Sequence, residues 1–158
     1  MIRPFQPEDA AAVVALIVGI QRDEFGLEIT AADQPDLAMI PEFYQTGGGG
    51  FWAAEAAGEV VGTIALKPFA PGQAALRKLF VAPAARGGQR GVAGALLGTL
   101  LDHARMQGIA DIWLGTTSLM TAAHAFYEKH GFRPVSAADL PADFLLMPVD
   151  DRFYHLRL

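Results

Sequence analysis

Two short stretches hold residues whose types and spacing suit chemistry. Arg86, Gly87, Gly88, Gln89, Arg90 and Gly91 stand together immediately before an apolar run of helical period. The first N–H groups of a helix have no internal partner and carry about half a positive charge, so they suit an anion such as a phosphate. Glycines let a ligand reach that backbone, and Arg86 and Arg90 can add charge-assisted bonds to phosphate oxygens. A strand-to-helix connection with solvated arginines explains the glycines equally well. The turn has neither GxxxxGK[ST] nor GxGxxG, so nucleoside triphosphate and dinucleotide enzymes lose their signature. In the second stretch, Ala123, Phe126, Tyr127 and His130 fall at i, i+3, i+4 and i+7, one continuous helix face. Packing alone explains such a face, while a phenol can also donate a proton.

These residues must be positioned by the elements around them. "IRPF" reads as a short strand, and Pro7, Glu8 and Asp9 open a helix that runs to about Phe25. Between Gly26 and Gly50 the pattern loosens into a short helix and a mobile loop ending in four glycines. "FWAAEAAGEVVGTIALKP" places two strands around a turn, and "AALRKLFV" adds a third, ended by Pro83, to make an antiparallel meander. Val92, Leu96, Leu97, Leu100, Leu101 and Ala104 recur at helical spacing up to Gly108. A buried strand "IADIWLGTT", a helix "TAAHAFYEKHGF" and a last strand "FYHLRL" follow. Strand, glycine turn, helix, strand is a βαβ unit, so the α/β fold must combine a right-handed parallel crossover with the hairpins in one mixed sheet.

"LRKLFVAPAARGGQRGVAGALL" followed by "AAHAFYEKHGF" resembles the acyl-CoA-binding core of the GNAT superfamily of N-acyltransferases. "IQRDEFG", "DQPDL" and "VDDRFY" look like a bacterial subgroup of it. The resemblance implies a GNAT fold over residues 1–158: a mostly antiparallel sheet, splayed at its middle, with helices on both faces. It also implies transfer of an acetyl group from acetyl-CoA directly to an amine, on a small molecule or a protein. Carried over by position, Leu79, Phe80 and Val81 line the pantetheine arm. Arg86, Gly87, Gly88, Gln89, Arg90, Gly91, Val92 and Ala93 form the phosphate cradle, in a turn two residues longer than usual. Tyr127 of the "FY" pair becomes the general acid for the departing thiolate, with Ala123 and Phe126 beside the cofactor. The family's Asn is Met120 here, and Ser118, Thr117 or Thr121 is left to replace its polar contact.

An alkylamine with pKa about 10.4 is almost wholly protonated at neutral pH, so a base is needed. Many relatives carry a Glu where this chain has Ala75. Glu24 is the preferred replacement, ahead of Glu28, Asp33 and Glu55, and a surface carboxylate is the competing reading for each. Phe25, Phe43 and Tyr44 are expected at the acceptor, with "PEFYQTGGGG" as a movable wall. Ala75 and Met120 also suit a second reading, a non-catalytic acyl-CoA-binding module or sensor.

Composition narrows the classes further. The 158 residues are 52% hydrophobic with a formal charge of −5 and no basic stripe, which disfavours nucleic acid. No apolar run reaches the ~20 residues of a membrane span. Cysteine is absent, so disulfides and thiolate chemistry are excluded, and His103, His124, His130 and His155 lack metal-ligand spacing. A cytoplasmic location is the expectation, and edge strands with an apolar tail suit a homodimer.

Overall fold

Helix α1 (Ala10–Gly19) begins behind strand β1 (Ile2–Pro4) and a 3-10 turn over Pro7–Asp9, in a computed structural model that describes residues 1–87 and 91–158. Asp9 fastens that start. Its carboxylate accepts the Gln6 N–H at 2.9 Å and two guanidinium N–H groups of Arg3 at 2.7 and 2.8 Å. Those Arg3 bonds hold the Asp9 carboxyl below its ordinary range. The helix then widens into a π turn over Ile20–Glu24, which turns Gln21 inward to 6% exposure.

The loose segment holds a 3-10 turn at Pro35–Ala38 and a single helical turn, α2 (Ile40–Phe43). The last two of the four glycines have a packing reason here, and the first two stand at positive φ, 60° and 87°. A side chain on Gly49 would strike the carbonyls of Tyr44 and Leu66, and one on Gly50 would strike the Trp52 ring. Gly49 and Gly50 thus let the chain pass close against Tyr44, Leu66 and Trp52 as it enters the sheet.

Strands β2 (Gly50–Ala56) and β3 (Glu59–Ala70) form a hairpin whose loop residues, Ala57 and Gly58, both have positive φ, 52° and 79°. A two-residue turn needs that handedness to match the strand twist. After β4 (Gln73–Val81) come α3 (Val92–Met106), β5 (Asp111–Thr116), α4 (Thr121–Lys129), β6 (Arg133–Val135) and β7 (Arg152–Arg157). The sheet order is β1-β2-β3-β4-β5-β7-β6, antiparallel throughout except for the parallel β4–β5 pair that α3 connects. Strand β6, three residues with a central proline, escaped the sequence reading; a strand that lacks one donor is tolerated at an edge.

Alternation along the strands gives the sheet two buried faces. Trp52, Ile64, Leu66 and Leu76 pack under Leu96, Leu97 and Leu100 of α3, together with Tyr127 of α4. Phe51 and Ala65 point the other way, to Val13 and Ile17 of α1 and to Tyr44. Among the described residues no helix is long and apolar enough to cross a membrane.

Candidate active site

The sheet opens where the chemistry belongs. Strands β4 and β5 pair only from Gln73 to Ala75 against Asp111 to Trp113, although β4 continues to Val81 and β5 to Thr116. Among the described residues that flank of β4 has no neighbouring strand beyond Ala75, so apart from the Val81 carbonyl, which takes Arg86 Nε, its outward N–H and C=O groups lack a strand partner. On the other flank a bulge re-aims the strand. Lys78 has φ 56°, its register slips against Thr63 and Ala65, and the Thr63 hydroxyl donates to the Lys78 carbonyl at 2.7 Å. A left-handed lysine is costly and marks a site held in place by its surroundings.

A cleft of about 290 Å³ fills the gap between the splayed strands. Ala75, Leu79 and Phe80 come to it from β4, Gly115 and Thr116 from β5, and Tyr127 from α4. The segment between β6 and β7 closes it with Phe144, Met147 and Asp150, and the segment after α1 adds Leu27 and Ile29. A second cleft, of about 360 Å³, begins at Val81, the next residue along the same strand. Arg86, Gly87, Gly91 and the first turn of α3 line it, opposite Phe126, Lys129 and His130 of the α4 end.

At that second cleft Gly91 stands in the left-handed region at φ 59°, and among the described residues no side chain caps α3. No acidic residue lies in its first turn either. Among the described residues the helix mouth therefore presents uncapped donors beside Arg86, Lys129 and His130, a chemistry suited to a diphosphate. Arg86 is half engaged already. Its Nε donates to the Val81 carbonyl at 2.9 Å, and one terminal nitrogen lies 2.6 Å from both Glu24 oxygens.

The first cleft is charged at depth. Asp150 lies against Gly115, where any side chain would collide with its carboxylate. Burial pushes its carboxyl up to about 6, against the opposing pull of Arg77 and Lys78. Tyr127 is 5% exposed, and its hydroxyl makes no hydrogen bond among the described residues. Burial, then the Asp150 charge, raises its pKa, so the phenol is neutral at any working pH. Lys78 donates to Gln34 Oε1 at 2.6 Å and stands 3.5 Å from Asp36, which also receives the Tyr44 hydroxyl at 2.6 Å. Burial lowers the Lys78 pKa. Gln21 and Gln34 exchange side-chain hydrogen bonds at 2.8 and 3.1 Å and brace this wall.

The expected residues divide between the clefts and the scaffold. Leu79, Phe80, Tyr127 and Phe43 line the first cleft; Val81, Arg86, Gly87, Gly91, Val92, Ala93 and Phe126 line the second. Ala123 is half-buried against the core next to them. Gly88, Gln89 and Arg90 lie outside the described residues. Tyr44 is fully enclosed, tilted against Phe51 and edge-on to Phe43, so it supports the wall from behind and meets no acceptor. Phe25 is half-buried outside the cleft, and Leu27 and Ile29 take the position expected of it. Ser118 is held by Asp151, through its N–H at 2.6 Å and its hydroxyl at 2.9 Å. Of the carboxylates considered, Glu24 pairs with Arg86, Glu55 with Arg3, and Asp33 with Thr30, all away from the cleft around Tyr127.

Sequence reasoning missed Gln21, Gln34, Arg77, Lys78 and Asp150. Their signal lay in "IQRDEFG", "DQPDL", "LRKLF" and "VDDRFY". No segment alone shows that its polar residues meet the others; the fold brings all four to one cavity.

Comparison with known proteins agrees with this fold. The Acetyltransferase (GNAT) family matches residues 16–132. An acetyltransferase of the GNAT family from Staphylococcus aureus, known from its crystal structure, superposes with a TM-score of 0.95 at 34% identity, over 99% of this chain and 98% of that one. The uncharacterised N-acetyltransferase YjgM of Escherichia coli is 30% identical over 145 residues, 87% of this chain and 84% of its own. Mouse N-acetyltransferase 8 is 36% identical over 126 residues, 76% of this chain; the match spans only 54% of the mouse protein's length. The chain thus belongs to the acetyltransferase (GNAT) family.

Proposed function

We propose that this protein moves an acetyl group from acetyl-CoA to the nitrogen of an amine acceptor. One observation carries the reading: two clefts, one with a diphosphate-binding character and one with a buried acid and base, meet along the unpaired edge of β4 at Leu79–Val81. Acetyl-CoA supplies an activated acyl carbon on a thiol leaving group.

The chain's own residues supply the rest. Arg86, Gly87, Gly91, Val92 and Ala93 hold the diphosphate, with Lys129 across from them. The open edge of Leu79, Phe80 and Val81 aligns the pantetheine, and Phe126 with Ala123 borders it. The N–H of Leu79, just past the Lys78 bulge, polarises the acyl carbonyl. The acceptor ammonium first loses one proton to a base; as the N–C bond forms and the C–S bond breaks, a second proton leaves the nitrogen and one reaches the sulfur. Tyr127, neutral and free of other hydrogen bonds among the described residues, gives the sulfur its proton and is restored by the one leaving the nitrogen.

Asp150 is the better base. It lines the same cleft as Tyr127, and its carboxyl, pushed up to about 6, is ionised at neutral pH yet more basic than an ordinary aspartate. Glu24, held by Arg86 at the other cleft, is left to organise the phosphate site. Calorimetry with CoA and acetyl-CoA, followed by thiol release over a panel of amines, tests the reading. Binding without thiol release on any amine, and no response to Tyr127→Phe, would favour a non-catalytic acyl-CoA sensor.

A further inference from the structure

We propose that the acceptor is a free α-amino acid with an apolar side chain, its carboxylate taken by Arg77 and its amine by Asp150. This deepens the acetyl-transfer reading and rests on it.

The cleft holds two opposite charges that do not satisfy each other. Arg77 and Asp150 both line it, and they are near enough to influence each other's ionisation. Yet among the described residues they form no ion pair. Arg77 is 13% exposed, and its one hydrogen bond goes to the Met147 thioether at 3.4 Å, a weak acceptor. The nearest carboxylate, Asp36, is 4.0 Å away and already takes Lys78 and the Tyr44 hydroxyl. The guanidinium lies over the Phe43 and Tyr44 rings at 5.6 and 5.8 Å, and since none of its buried nitrogens lacks a partner, its remaining donors are open to the cleft and to a ligand there.

A zwitterion is such a ligand. A planar carboxylate fits the guanidinium fork, and the adjacent ammonium meets Asp150, which can then accept its proton. Lys67 adds a second cation on the carboxylate side. Its Nζ donates to the Phe43 carbonyl at 2.8 Å and lies 4.2 Å over the Phe43 ring, leaving two donors for the ligand. Around these polar groups the wall is apolar, with Leu27, Ile29, Phe69 and Phe144, the last two edge-on at 5.9 Å. That surface suits an aliphatic or aromatic side chain, while Lys78 on the same lining is already engaged by Gln34 and Asp36. A protein or peptide amino terminus would bring an amide to Arg77 in place of a carboxylate.

The test uses the full chain with acetyl-CoA, measuring thiol release with L-phenylalanine, L-leucine and L-methionine, their carboxamides, and the corresponding amines that lack the carboxyl group. The acids should exceed both neutral series in kcat/KM by about 10- to 100-fold, the range that charge-assisted hydrogen bonds give. Arg77→Gln should bring the three series within about 3-fold of one another, chiefly by raising KM for the acids, and Arg77→Lys should restore part of the preference. The dissociation constant for CoA, read by calorimetry on each variant, should stay within about 2-fold and reports that the variant is folded. Equal use of carboxamides or simple amines by the unaltered chain overturns the amino-acid assignment and leaves acetyl transfer standing, as does discrimination that survives Arg77→Gln. Failure to bind CoA overturns acetyl transfer itself, and this inference with it.

Discussion

Replacing Asp150 by Asn should stabilise the protein while disabling it. The ordinary aspartate carboxyl titrates near 3.8, and in the cleft that of Asp150 is pushed up to about 6. Between those values the native state binds more protons than the unfolded chain, so this group lowers stability as pH rises from about 4 to 6 and by a constant amount above that. At ~1.4 kcal/mol per pH unit the native ionised form costs about 3 kcal/mol. Asparagine removes that cost but buries an amide N–H near Arg77 and Lys78, which returns about 1 kcal/mol. The net gain, about 2 kcal/mol, should appear as a Tm higher by about 4 to 8 °C above pH 7. It should shrink as pH falls and turn into a deficit of up to about 1 kcal/mol near pH 4, where the native aspartate is protonated and only the cost of the buried amide remains. Urea titration at pH 5 and pH 7.5 measures the gap, and kcat with a good acceptor should fall by about 10²- to 10⁴-fold, the usual weight of a general base. In the unaltered protein kcat/KM should drop below about pH 6. A variant that is less stable at pH 7.5, or one that keeps activity within about 3-fold, would refute the reasoning.

Tyr127→Phe should lower kcat by about 10²-fold or more and leave CoA affinity within about 2-fold, as calorimetry can establish, because the lost hydroxyl serves the sulfur and not the diphosphate. Glu24→Gln separates the two candidate bases: with Asp150 as base, kcat should stay within about 3-fold, since a surface ion pair such as Glu24–Arg86 contributes only about 0 to 1 kcal/mol. Arg86→Ala should weaken CoA binding by about 10-fold, an effect that should shrink as salt is raised. Gly115→Ala should cost most of the activity through Asp150, because a methyl group there occupies the space of its carboxylate; the pH at which kcat/KM falls should move with it.

The order of elements was legible in the chain because its signals are local. Pro7 with Glu8 and Asp9 writes a helix start, the period of Val92 to Ala104 ends at Gly108, and Ala57-Gly58 turns a hairpin, each within a few residues. The strand, glycine turn and helix mouth proposed to hold a diphosphate were legible as elements for the same reason, since they are consecutive. The glycines of Gly47–Gly50 were harder: Gly49 and Gly50 are required by Tyr44, Leu66 and Trp52, contacts that pattern alone does not reveal.

What only the tertiary structure decided was the ionisation and company of the side chains. A carboxylate's basicity depends on burial and on charges within a few ångströms, neither of which is written in its neighbours along the chain. Glu24 and Asp150 sit in similar acidic stretches of sequence. Folding ties Glu24 to Arg86 and sets Asp150 in a cavity with Tyr127, because β4 and β5 part after three paired residues and the segment before β7 closes over the gap. The sequence alone established the family's architecture and the glycine turn at the mouth of α3; the convergence of Arg77, Tyr127 and Asp150 came from three segments that meet only once the sheet has formed and splayed.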